Sequence, residues 1–96
     1  QDIIDDTIPL HKKALKVFEK AYGKESSKLI PILVSLGTIY EGEGDFSKAE
    51  KRYMRADRIA SSKLGPNSLV HADTQHRLGR THFKMTRFRD ADREYY

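Results

Sequence analysis

The sequence predicts an all-α fold in which antiparallel helix-turn-helix units stack as a repeat array. Self-similarity is the first observation. Sliding the 96-residue chain by 42 positions superposes Ala14 on Ala56, Gly23 on Gly65, Ser26 on Ser68, Leu36 on Leu78, Gly37 on Gly79, Phe46 on Phe88, Ala49 on Ala91 and Tyr53 on Tyr95. These eight identities, among the 54 pairs left when 42 of 96 positions overhang, exceed the roughly three expected from ordinary composition. The second observation is that apolar residues recur within each unit at steps of three and four, the period of a helix buried on one face. The third is that glycine-rich turns separate those segments. The period divides the chain into an incomplete unit over residues 1–22, a complete unit over 23–64 and an incomplete one over 65–96. The chain is accordingly expected to be a piece of a longer array.

Each element has a local justification. A helix is expected near residues 5–22. The next, near 27–42, carries Leu29, Ile30, Leu33, Leu36, Ile39 and Tyr40, and Ser26 or Ser27 caps its start. Pro31 lies at or just past its first turn, which requires a late start or a slight bend. Ser47 to Glu50 reads as a capping box opening a helix near 47–64, with Ala49, Tyr53, Ala56, Ile59, Ala60 and Leu64 on one face, ended by Gly65 and Pro66. A fourth helix follows near 68–85, and a fifth begins near Phe88. Gly42 and Gly44 mark a turn. Gly37 and Gly79 stand inside helices, where glycine costs about 1 kcal/mol relative to alanine. They therefore need a close helix crossing in return, which small Ala49 and Ala91 on the returning helices permit.

Composition narrows the function classes. With 38% hydrophobic and 33% charged residues and a mean hydropathy of -0.71, the chain reads as a soluble folding domain. No apolar run approaches the roughly 20 residues of a membrane span, and QDIIDDT at the amino terminus lacks the basic and apolar regions of a signal peptide. The absence of cysteine removes disulfides, thiolate zinc sites and cysteine nucleophiles, and a cytoplasmic setting is expected, cytoskeletal or ciliary assemblies included. A net charge of +4 admits an acidic peptide, a nucleic acid or an anionic surface as partner. Lys48, Lys51, Arg52, Arg55 and Arg58 nevertheless alternate with Glu50, Asp57 and small residues, the pattern of a solvated helix face.

Catalytic constellations are not evident. His71, Asp73, His76 and His82 are the densest group of potential ligands, but His71 and His76 fall about 140° apart around a helix. There is no HExxH sequence, so no metal is expected; His82 is read as a core or interface residue. Asp5, Asp6, Asp90 and Asp92 read as helix-start charge. No strand leads into the glycines and no phosphate-cradle motif occurs. No cofactor and no enzymatic activity are expected.

Leu36, Gly37, Tyr40, Gly44, Phe46, Ala49, Tyr53 and Ala56, at these spacings, resemble the signature of the tetratricopeptide repeat (TPR). Leu78, Gly79, Phe88, Ala91 and Tyr95 repeat it. The 42-residue period and the junctions EKAYGKES and SSKLGPNS are similar to the extended repeats of kinesin light chains. Residues 3–22 then match a second helix, with Ala14 and the core-like Val17, Phe18 and Ala21. The asparagine common in the first helix of those repeats is replaced by Ser35 and Arg77, and Gln75 and His82 stand where the first unit has Leu33 and Tyr40.

The resemblance implies a right-handed superhelical solenoid whose first helices line a concave face that binds a protein or peptide, in a scaffold for a larger assembly. Its concave-facing places fall on Val34, Thr38 and Glu41 in the first unit and Asp73, His76, Arg80 and Lys84 in the second. Val34 and Thr38 stand where the carboxylate clamp of chaperone-binding members requires basic and amide residues, so that clamp is not expected. The alternative is a basic helical-repeat module for RNA or another polyanion, suggested by Arg77, Arg80, Lys84, Arg87, Arg89 and Arg93 interleaved with Phe83, Phe88, Tyr95 and Tyr96. Asp90, Asp92 and Glu94 interrupt that run, and Phe88 and Tyr95 match packing positions.

Overall fold

Three glycines set the turns. In the computed structural model, which describes the backbone of residues 3–95 and the side chains of residues 7–87, Gly23, Gly44 and Gly65 have φ of 96°, 82° and 98°. That left-handed region is open to glycine and strained for other residues. Gly23 and Gly65, 42 residues apart, have nearly the same φ. Between the turns lie α1 (Ile3–Tyr22), a 3-10 turn (Ser27–Leu29), α2 (Ile30–Gly42), α3 (Phe46–Leu64) and α4 (Leu69–Tyr95). The fold is all-α, with no strand among the described residues, and none of their helices is long and apolar enough to cross a membrane.

Side chains close the helix starts. Ser26 Oγ accepts a hydrogen bond from Lys28 N at 3.1 Å, and the 3-10 turn lets α2 begin late enough to place Pro31 in its first turn. The expected capping box is displaced. Asp45 Oδ1 accepts from Lys48 N at 3.3 Å, so the helix opens at Phe46 and Ser47 is already inside it. Ser68 Oγ accepts from His71 N at 3.1 Å at the start of α4.

The expected fifth helix does not separate, because α4 runs unbroken through Phe88 to Tyr95. Lys84 and Thr86 occupy the repeat positions of Gly42 and Gly44. With no glycine to adopt the left-handed turn, the helix continues.

The core lies where α2 and α3 meet. Leu29, Leu33, Leu36, Ala49, Tyr53, Ala56, Ile59 and Ala60 are buried, and each large apolar side chain so buried stabilises the fold by about 1.5–3 kcal/mol. Gly37 has its compensating contact, but with a different partner from the one expected. A Cβ on Gly37 would lie 2.6 Å from Cδ1 and 2.8 Å from Cζ of Tyr53, so the Tyr53 ring, rather than Ala49 alone, requires the glycine. Gly79 meets no such neighbour among the described residues, since α4 does not fold back there.

On α1 the buried position is Leu15, flanked by the partly buried Ile8 and Phe18. Val17 and Ala21, expected in the core, are exposed. Val17 lies about 200° from Leu15 around the helix, and α1 packs chiefly against α2 and the 3-10 turn.

Candidate functional site

Glu41, at the last turn of α2, is the centre of a polar cluster reaching across to α4. Its Oε2 accepts from Arg80 Nε at 2.8 Å and from Lys84 Nζ at 2.9 Å. Its Oε1 accepts from Arg80 Nη2 and from the Tyr53 hydroxyl, both at 2.9 Å. The guanidinium therefore grips the carboxylate with two parallel bonds, the strongest geometry available to such a pair. Arg80 and Lys84 are one helical turn apart, which is why α4 can aim both at one acceptor.

Beside this centre, the Thr38 hydroxyl donates to Val34 O at 2.9 Å, lies 3.2 Å from the Tyr53 hydroxyl, and accepts from Arg77 Nη1 at 3.2 Å. Arg77 is held in turn by Asp73 through Nε at 2.8 Å.

The Glu41 side chain is only 8% exposed, and desolvation alone would favour its neutral form. The Arg80 guanidinium, with Lys84 and the Tyr53 hydroxyl, overcomes that burial and holds the carboxyl down at about 2. Arg80 is raised above its ordinary value, chiefly by the bond to Glu41. Burial foremost pushes the Tyr53 hydroxyl up, so it stays protonated and donates.

Thr38, Glu41, Gly42, Arg80 and Lys84 line one open cavity of about 350 Å³. The structure thus brings together four of the residues expected on the concave face. The other three stand apart. Val34 packs against the core, Asp73 serves as the partner of Arg77, and His76 is exposed. Tyr53 and Arg77 belong to the cluster and were not anticipated there. Tyr53 occupies a packing position of the repeat, and nothing in its spacing reveals where its hydroxyl emerges.

A second polar junction joins α3 to α4. Asp57 accepts from the Thr74 hydroxyl at 2.7 Å and from Gln75 Nε2 at 3.3 Å. His71 Nδ1 is 2.9 Å from Asp57 Oδ1, without the alignment of a hydrogen bond. His82 is exposed rather than in the core and meets Glu50. Gln75 and His82, standing where the first unit has Leu33 and Tyr40, accordingly make polar contacts.

The residues behind the RNA alternative are largely engaged. Arg77 is paired with Asp73, Arg80 and Lys84 with Glu41, and Arg87 lies 5.7 Å from the Phe83 ring. Phe88, Arg89, Arg93, Tyr95 and Tyr96 fall outside the described side chains, as do Asp5, Asp6, Asp90 and Asp92. Among the described residues no three His, Asp or Glu side chains converge as a metal site.

A family model described as tetratricopeptide repeat matches residues 4–62. Comparison with curated proteins gives no match.

Proposed function

The chain belongs to the tetratricopeptide repeat family, whose members generally mediate protein-protein interactions, and from that premise we propose that it is a non-catalytic scaffold. In this reading α2 and α4 present a concave surface to a peptide or protein within a larger assembly. One observation carries the reading. The first helices of two successive units place Thr38, Glu41, Arg80 and Lys84 on a single open cavity, and Arg80 and Lys84 remain 39% and 42% exposed while sharing one carboxylate. An acidic or carbonyl-bearing segment can therefore reach both cations.

The 42-residue separation of the matching turn glycines supports the extended, kinesin-light-chain-like form of the repeat. The cysteine-free, highly charged composition supports a cytoplasmic setting.

Selection of a displayed peptide library against the chain, followed by amide chemical-shift mapping, tests the proposal. Bound peptides should perturb Thr38, Arg80 and Lys84, and Arg80→Ala or Lys84→Ala should weaken them about tenfold. Peptides that map only to other faces, with affinities indifferent to both substitutions, would overturn it.

A further inference from the structure

A second concentration of charge lies between α1 and α3. Lys12 from α1 faces Lys48, Lys51, Arg52 and Arg55 from α3 across a cavity of about 430 Å³ floored by Tyr40. Positions 48, 51, 52 and 55 form one stripe on a helix, so the alternation with acidic residues along the sequence disappears in three dimensions. Arg55 is committed to Glu19 at 2.5 Å and to Lys24 O at 3.0 Å. Lys48 lies 3.6 Å from Asp45 and 5.7 Å from the centre of the Tyr40 ring. Lys12, Lys51 and Arg52 have no carboxylate partner among the described residues. Like charges gathered in a concavity focus a positive potential there.

We propose that this groove between α1 and α3 binds a compact, multiply charged phosphate group. Three free cations call for more than one negative charge, and a phosphate monoester carries about -1.5 to -2 with three acceptor oxygens. Guanidinium and ammonium donors from two helices can grip it from both walls. An extended nucleic-acid strand fits poorly. The stripe spans only about 10 Å of helix, and Tyr40, at 4% exposure, offers no face on which a base can stack. The phosphate can come from a free polyphosphorylated small molecule or from a phosphorylated side chain of a partner.

Calorimetric titration of the chain with four probes tests this. The probes are inorganic tripolyphosphate, a phosphoserine peptide, the same peptide unphosphorylated, and a single-stranded oligoribonucleotide. At least one phosphate probe should bind, with log affinity falling linearly against log salt. The double variant Lys51→Glu/Arg52→Glu and, separately, Lys12→Glu on the other wall should each weaken it by about tenfold or more. The charge-matched control Lys20→Glu/Lys63→Glu, outside the groove, should change it less than about threefold. Circular dichroism confirms that each variant is folded. Stronger binding of the phosphopeptide identifies a partner's side chain as the source, and stronger binding of tripolyphosphate identifies a free anion. An equal loss in the control, tightest binding of the oligoribonucleotide, or no binding of either phosphate probe would overturn the proposal.

Discussion

Glu41 is the carboxylate through which α2 holds both Arg80 and Lys84 of α4. Glu41→Gln keeps the shape of the side chain but removes its charge, leaving Arg80 and Lys84 without a counter-charge. Thermal unfolding at pH 7 should show a loss of about 2 kcal/mol. The pH dependence has a definite sign. The Glu41 carboxyl is held at about 2 against an ordinary 4.5, so its contribution is complete above the unfolded value and disappears as pH falls towards 2. Stability measured from pH 5 down to 2 should therefore fall more steeply for the native chain than for Glu41→Gln. Gly37 offers a second residue-level test: the Tyr53 ring occupies the space of its missing side chain, so Gly37→Ala should destabilise by about 1–3 kcal/mol through overpacking. The sequence marks Glu41 as a concave-face residue and Gly37 as a crossing point. It does not reveal that one residue, Tyr53, connects them, because that depends on a ring packing in one direction while its hydroxyl reaches another.

At the scale of elements, a glycine inside a helix and a glycine at a turn have opposite consequences. Gly79 sits inside α4 with nothing near it among the described residues, so Gly79→Ala should stabilise by about 0.5–1 kcal/mol through helix propensity. Gly44→Ala, at a φ of 82°, should cost about 1–2 kcal/mol. Denaturant midpoints of the two variants should move in opposite directions. The first four helices and their turns were legible because periodicity and turn chemistry agree over residues 23–68. The expected fifth helix rests on the matches at Phe88, Ala91 and Tyr95, which correspond to packing positions of the repeat and carry no instruction to turn. Only the replacement of Gly44 by Thr86 bears on that question, and it favours continuation. The basic stripe of α3 is legible as spacing, but the sequence presents it as solvated charge, because Lys12 reaches it from a helix far away in sequence.

Across the whole molecule, the polar points that attach α4 to the preceding helix pair include Asp57 near its start and Glu41 further along. Asp57→Ala leaves the fully buried Thr74 hydroxyl with only the His71 carbonyl to accept its proton. A loss of about 1–2 kcal/mol is expected, with hydrogen exchange rising first in the early turns of α4. The sequence could not locate these junctions, since each joins residues 17 to 43 positions apart through side-chain reach alone.

In the proposed scaffold, Glu41 serves as a resident competitor. An incoming carboxylate finds Arg80 and Lys84 already occupied by a group tethered beside them, at an effective concentration that a free ligand must exceed. On that proposal, binding at this cavity is an exchange, in which a lone carboxylate gains little over the one it displaces. Partners bearing several acidic groups are then expected to gain more, which amounts to a threshold on ligand valence. Glu41→Gln should lower that threshold, tightening singly charged peptides while the fold itself becomes weaker.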